Sequence, residues 1–176
     1  MVGFNRAFFF DRDGIINRAI VRNGKPYSPK NLKELKLYKK VPETLKYLKN
    51  LGFKIIIVTN QPEISRKSLK KKDLFKINQK ILKFTNADDM FVCGHDDQHN
   101  CSCRKPKPGM LIKAAKKWKI NLEKSYIVGD RYKDIEAGNQ AKCKSIYMFR
   151  NYKNDKVTKK YFIRINKIEE IKKIKL

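Results

Sequence analysis

Short, unbroken apolar runs recur along the chain, and three of them stop at residues with chemistry to offer. Ala7 to Phe10 ends at Asp11, Phe53 to Val58 ends at Thr59-Asn60, and Tyr126-Ile127-Val128 ends at Gly129-Asp130. Met90 to Cys93 is a weaker run of the same kind, and Ser145 to Phe149 is a fifth. Runs of this length without polar alternation fit strands buried on both faces, as in a parallel sheet. Between them the period changes. Pro42 to Leu51 carries Leu45, Leu48 and Leu51 on one helical face, with proline near its start and Gly52 just past its end. Ser68 to Phe84 repeats Leu74, Ile77, Ile81 and Phe84 at helical spacing, and Pro108 to Trp118 repeats Leu111, Ala115 and Trp118. Tyr132 to Ala141 reads as a shorter helix. Asn166 to Leu176 reads as a basic helix with Ile168, Ile171 and Ile174 turned inward. Strands alternating with helices predict an α/β fold, a Rossmann-like doubly wound parallel sheet with right-handed crossovers. Residues 1–176 form one domain in this reading, without internal repeats or a long linker.

That architecture predicts where chemistry belongs. In open α/β sheets, ligands bind beyond the carboxyl ends of the strands, so Asp11, Thr59 and Asp130 are expected to converge at one sheet edge. Asp11-Arg12-Asp13-Gly14 sets two carboxylates two residues apart, directly after a strand. The first could attack phosphorus or hold a metal, and the second could reach a leaving oxygen as general acid. A carboxylate attacking a phosphate needs a nearby cation to offset repulsion, and Mg2+, which prefers oxygen ligands, meets that need. Asp130 and Asp134 offer further carboxylates. An Asp-x-Asp by itself is equally a turn sequence.

Composition narrows the class. Hydrophobic residues at 41% and charged residues at 34% suit a folded, soluble chain, and no apolar run approaches the ~20 residues of a membrane span. A cytoplasmic monomer without a membrane partner is expected. The net charge of +26 raises the question of nucleic acid. The lysines are spread along the chain rather than gathered in one stripe with interleaved aromatics, which favours a solvated basic surface over a nucleic-acid interface. Such a surface still draws in anionic substrates. Cys93, Cys101 and Cys103 cluster while Cys143 stands apart, a pattern that points to metal rather than disulfides.

The motifs, taken together and in order, resemble those of the haloacid dehalogenase phosphatases. Asp11-Arg12-Asp13-Gly14-Ile15-Ile16-Asn17 is similar to their first motif and Val58-Thr59-Asn60-Gln61 to their second. Lys105 in Arg104-Lys105-Pro106 is similar to the third, and Val128-Gly129-Asp130 with Asp134 to the fourth. Cys93-Gly94-His95, followed after five residues by Cys101-Ser102-Cys103-Arg104-Lys105-Pro106-Lys107-Pro108-Gly109-Met110, resembles the subgroup of heptose bisphosphate phosphatases and, more distantly, histidinol-phosphate phosphatases.

The resemblance implies a fold with a minimal cap and these roles. Asp11 is the nucleophile and Asp13 the acid/base. Thr59 and Lys105 bind the transferring phosphoryl group. Asp11, Asp130 and the backbone carbonyl of Asp13 hold Mg2+, and Asn60, Arg104 and Arg131 contact a small phosphorylated sugar. Cys93, His95, Cys101 and Cys103 hold a structural Zn2+, with His99 a competing ligand. The sequence departs from the subgroup at Pro62-Glu63, just after the second motif, and in the basic segment Arg18 to Pro29, where Asn23-Gly24 marks a hairpin turn. The leading expectation is a heptose 1,7-bisphosphate 7-phosphatase serving surface-polysaccharide synthesis. Histidinol-phosphate phosphatase is the alternative, and a polynucleotide 3′-phosphatase, which would use the +26 charge, is the third.

Overall fold

A computed structural model describes residues 4–153, 155, 157–158 and 160–176. Six parallel strands form one sheet in the order β5-β4-β1-β6-β7-β8. They are β1 (Arg6–Phe10), β4 (Phe53–Asn60), β5 (Asp89–Cys93), β6 (Tyr126–Gly129), β7 (Lys144–Met148) and β8 (Ile163–Ile165). The first strand lies centrally because it is apolar on both faces. Phe8 and Phe10 pack into one core layer, and Ala7 and Phe9 into the other. On the first face lie α1 (Val41–Asn50) and α2 (Lys71–Thr85), which bury Leu45, Leu48, Ile77 and Ile81. On the second lie α3 (Gly109–Trp118) and α4 (Tyr132–Gln140), with Met110, Leu111, Ala114 and Ala137 inward. Burying a large apolar side chain contributes about 1.5–3 kcal/mol, so the triple phenylalanine is a main determinant of the sheet's centre. A separate hairpin of β2 (Ile20–Arg22) and β3 (Lys25–Tyr27) turns at Asn23 and Gly24, both at positive φ, as the Asn-Gly pair predicts.

The C-terminus corrects the sequence reading. Asn166 to Leu176 is not an α-helix; a 3₁₀ helix covers Ile168–Lys173. The isoleucines recur every third residue, which is the period of a 3₁₀ turn rather than of 3.6 residues, and Ile168 and Ile171 are buried. The edge strand β8 was not anticipated, being short and exposed at two of its three positions. The fourth strand also runs on through Thr59 and Asn60 instead of stopping before them. No helix among the described residues is long and apolar enough to cross a membrane.

Candidate active site

The central strand delivers Asp11 to the sheet's carboxyl edge, and its two neighbours deliver Thr59 and Asp130 beside it. The register aligns Phe10 with Ile57 on one side and Val128 on the other, and the Asp11 N–H donates to the Val128 carbonyl at 2.9 Å. Lys105 comes from the loop before α3. Its Nζ donates to Asp11 Oδ1 at 2.7 Å and to the Val58 carbonyl at 2.9 Å, and lies 2.5 Å from Asp134 Oδ1. Asp134 sits in the first turn of α4, where its Oδ2 also accepts from the Arg131 N–H at 3.1 Å. Asp11, Asp130 and Asp134 are all buried, with one oxygen from each within 4.8 Å of the others.

Three buried carboxylates thus crowd together, and the Lys105 ammonium pairs with two of them, Asp11 and Asp134. Burial, opposed by Lys105 and reinforced by the charges of Asp134 and Asp13, raises Asp11 to about 6. Asp130 is held well above the usual carboxylate range, first by burial and then by the Asp11 and Asp134 charges. Burial works against the Lys105 ammonium, but Asp11 and Asp134 outweigh it, so Lys105 titrates above its ordinary value. Asp130 Oδ2 accepts from the Tyr152 hydroxyl at 2.7 Å, while Oδ1 is buried without a partner. An oxygen-rich, net-negative cluster with an orphaned carboxylate oxygen suits a hard divalent cation. Gly14 lines the cluster closely: a Cβ there would lie 1.7 Å from Asp130 Oδ2, and its φ is +91°. Only glycine satisfies both demands.

Asp13 has a different environment. Its carboxylate accepts from Arg12 Nε at 3.2 Å and Nη2 at 2.8 Å, Asn17 Nδ2 at 2.9 Å, Ser28 Oγ at 2.8 Å and Gln61 Nε2 at 2.9 Å. Burial pushes the acid upward, but the Arg12 guanidinium and these donors overcome it and hold Asp13 below its ordinary value. The two carboxylates of Asp11-x-Asp13 are therefore driven in opposite directions by their surroundings. Gln61 joins the halves of the site, since its Nε2 also donates to Thr59 Oγ1 at 2.9 Å and its Oε1 accepts from Arg12 at 2.8 Å.

A cleft of about 480 Å³ opens over these groups. Asp11, Asp13, Thr59, Asn60, Arg104, Lys105 and Arg131 all line it, so seven of the predicted residues share one cavity. The hairpin residues Lys25, Pro26, Tyr27 and Ser28 form part of its wall. Three predicted contacts are already engaged. Asn60 brackets the Lys105 backbone, donating to its carbonyl at 2.9 Å and accepting from its N–H at 3.1 Å. Arg104 Nε donates to Asp97 at 2.7 Å, and Arg131 pairs with Asp155.

Cys93, His95, Cys101 and Cys103 form the second cluster, with one ligand atom from each within 4.8 Å of the rest. The sulfur–sulfur separations are 3.3 to 3.7 Å, and His95 Nδ1 lies 3.4 Å from Cys103 Sγ and 3.7 Å from Cys93 Sγ. These are not disulfide lengths. Metal–sulfur bonds of about 2.3 Å in a tetrahedron set sulfur–sulfur edges of ~3.8 Å; the Cys93–Cys101 separation of 3.7 Å is close to that edge, and the two of 3.3 Å are about 0.5 Å shorter. His99 is outside this set; its Nδ1 accepts from the Asp96 N–H at 3.2 Å.

Sequence reasoning did not assign roles to Arg12, Ser28, Gln61, Tyr152 or Asp155. Arg12 and Gln61 lie inside the first two motifs and were legible there as motif residues. Tyr152 and Asp155 sit in a polar segment after β7 and reach the site only through tertiary folding.

Comparison with known proteins agrees with this fold. The haloacid dehalogenase-like hydrolase family model matches residues 17–142. The D-glycero-beta-D-manno-heptose-1,7-bisphosphate 7-phosphatase of Helicobacter pylori strain 26695 is 39% identical over 148 residues, covering 80% of this chain and 82% of that one. The histidine biosynthesis bifunctional protein HisB of Campylobacter jejuni is 33% identical over 135 residues, covering 74% of this chain but 38% of that protein. Among solved structures, D,D-heptose 1,7-bisphosphate phosphatase from B. bronchiseptica, complexed with magnesium and phosphate, superposes with a TM-score of 0.78 at 20% identity, covering 96% of each chain. The family match begins beyond Asp11 and Asp13, and the fold returns both to the cleft that the matched residues build. This chain belongs to the haloacid dehalogenase-like hydrolases.

Proposed function

We propose that the chain is a Mg2+-dependent phosphatase that removes the 7-phosphate of D-glycero-D-manno-heptose 1,7-bisphosphate through an aspartyl-phosphate on Asp11. The observation that carries this reading is the buried set of Asp11, Asp130, Asp134 and Lys105 at the sheet's carboxyl edge, with Asp13 alongside. The identity to the Helicobacter pylori enzyme over most of both chains supports the substrate. HisB covers the same region at lower identity and keeps histidinol phosphate as the second reading.

Asp11, Asp130 and the Asp13 carbonyl would hold Mg2+, with Asp134 close by. The ion supplies charge neutralisation, letting an anionic nucleophile meet an anionic phosphoryl group. An Asp11 carboxylate oxygen bonds to phosphorus as the ester oxygen–phosphorus bond breaks, and Asp13 gives its proton to the departing sugar oxygen. Asp13 then takes a proton from the water that cleaves the phospho-aspartate. In the free protein Asp13 is held ionised by its donors. A phosphoryl dianion arriving beside it adds negative charge and raises its pKa, the direction a proton donor needs. Lys105 and the Thr59 hydroxyl stabilise charge on the transferring oxygens. The Cys93, His95, Cys101 and Cys103 cluster fits a structural Zn2+ that pins the loop carrying Arg104 and Lys105.

A panel of phosphate esters tests the reading by phosphate release with Mg2+ present. Both anomers of heptose 1,7-bisphosphate, histidinol phosphate and 3′-phosphorylated DNA ends are compared. Heptose bisphosphate should be turned over best. Preferential turnover of histidinol phosphate would replace the substrate, and preferential turnover of DNA ends would move the activity to nucleic acid.

A further inference from the structure

The second motif departs from its subgroup at Pro62-Glu63, and the structure puts Glu63 in the wall of the catalytic cleft. Every other carboxylate lining that cleft has a cationic or hydrogen-bonding partner. Asp11 and Asp134 share Lys105, Asp13 has Arg12, Asp97 has Arg104, and Asp155 has Arg131. Glu63 has no such side-chain partner among the described residues. The two cations that act on it, Arg12 and Arg66, are committed elsewhere: Arg12 to Asp13, Asn78 and Gln61, and Arg66 to Asp96 through two bonds of 2.5 and 2.6 Å. One oxygen is satisfied by its own backbone N–H, and Oε2 is sealed from solvent with no donor at all.

A stripped, unpaired carboxylate oxygen is costly, and it becomes favourable only when a donor reaches it. The backbone is not free to relieve it. The Glu63 carbonyl accepts from the N–H groups of Ser68 at 2.9 Å and Leu69 at 3.1 Å, and the Pro62 carbonyl accepts from the Arg66 N–H at 3.0 Å. The terminal torsion of a glutamate is broad, however, so the carboxylate can turn its unpaired edge to the cleft while the loop stays fixed. Glu63 and Asp13 line the same cleft, and burial, with the Asp13 charge adding to it, lifts the Glu63 carboxyl above its usual range.

We propose that Glu63 is a specificity-determining residue that accepts a hydrogen bond from a leaving-group hydroxyl next to the scissile ester oxygen. The inference rests on the phosphatase reading, in which Asp13 must touch that ester oxygen. A neighbouring carboxylate then meets the next polar group along the leaving chain. A polyol presents a hydroxyl there, a pure donor to a carboxylate, and an alkyl ester presents none. The unpaired oxygen thereby selects hydroxylated phosphate esters over alkyl ones, because only the former supply the missing donor.

The test uses Mg2+-loaded, full-length protein and two esters that differ only in hydroxyls, glycerol 3-phosphate and n-propyl phosphate. The wild type should favour the hydroxylated ester. Glu63→Ala should lower kcat/KM on glycerol 3-phosphate by roughly 10- to 100-fold, mainly through KM, and leave n-propyl phosphate within about twofold. Glu63→Gln keeps an acceptor oxygen at the same length and should retain part of the preference, which guards against a folding effect of the alanine. Equal losses on both esters, no loss on either, or a wild type indifferent to the hydroxyl would each overturn the proposal. Failure to turn over heptose bisphosphate would remove that substrate but leave this comparison standing.

Discussion

Replacing Asp11 with asparagine should make the protein more stable when magnesium is withheld, while abolishing turnover. Three carboxylates are buried together and the Lys105 ammonium pairs with only two of them, and Asp11 is raised from 3.8 to about 6. At about 1.36 kcal/mol per unit, keeping Asp11 ionised at neutral pH costs the fold up to about 3 kcal/mol. Asparagine removes the charge and, like the protonated acid, still offers Lys105 an oxygen. The Lys105 attraction is already contained in the shift, so the net gain is up to about 3 kcal/mol, or ~6–12 °C in Tm for a chain of this size. The sign follows from linkage. A group whose folded pKa is raised stabilises the fold at low pH, and that contribution is lost as pH rises from 3.8 through about 6. Wild type and Asp11→Asn should therefore melt together near pH 4, separate as the pH approaches 6, and keep a constant gap above it. Thermal melts across that range, in buffers without magnesium or chelator, measure the gap. A chelator is left out because it would also take any zinc that the cysteine cluster holds. Adding magnesium should raise the wild type more than the variant. A variant less stable than wild type at pH 7.5, or a gap that does not change with pH, would refute the electrostatic account.

Gly14→Ala should be inactive and lose several degrees of Tm, because its Cβ would overlap Asp130 Oδ2 in a backbone conformation at φ +91°; circular dichroism melts and phosphate release check both. Cys103→Ser should reduce bound metal from about one zinc per chain to almost none, read by elemental analysis of protein purified without chelator. Gln61→Ala frees both Thr59 and Asp13 from a shared donor and should lower kcat by roughly 10- to 100-fold with KM within a few-fold. An unchanged kcat would show that neither group depends on it.

The parts of this molecule that could be read in advance are those where one local signal decides the outcome. The Phe8-Phe9-Phe10 run has no polar face, so it could only be a central strand. Asn23-Gly24 satisfies the positive φ that its hairpin turn adopts. Four cysteine and histidine ligands within eleven residues could converge on one centre. What was not legible depended on the tertiary fold. Isoleucines at 168, 171 and 174 fit both an amphipathic helix and a 3₁₀ turn, and packing chose the second. Tyr152 reaches back to Asp130, 22 positions earlier in the chain. The partners of Arg104 and Arg131, Asp97 and Asp155, could not be inferred from the motif that named the arginines. Sequence spacing identifies which groups a site contains. It does not say which of them are already engaged, and that distinction separates the free Glu63 from the committed cations around it.

The two clusters of potential metal ligands are mechanically joined, which bears on what the cysteine cluster is for. Cys103 is followed immediately by Arg104 and Lys105, and Asn60 grips the Lys105 backbone from the end of β4. The Gln61 N–H donates to the Cys93 carbonyl at 2.7 Å, tying the second motif to the first cysteine. On the other side the loop packs onto α3 so closely that a Cβ at Gly109 would lie 2.3 Å from the Ser102 carbonyl oxygen. Lys105 therefore reaches Asp11 from a loop fixed at both ends, once through Asn60 and once through the cluster. If the cluster only stabilised the fold, its loss would lower Tm and leave the surviving folded molecules fully active. Because it shares a backbone segment with Lys105, its loss should also lower kcat in molecules that remain folded, by letting the ammonium drift from the phosphoryl oxygens. In Cys103→Ser, kcat per folded molecule, measured well below the variant's Tm, separates these accounts. A value equal to wild type would confine the cluster to stability alone.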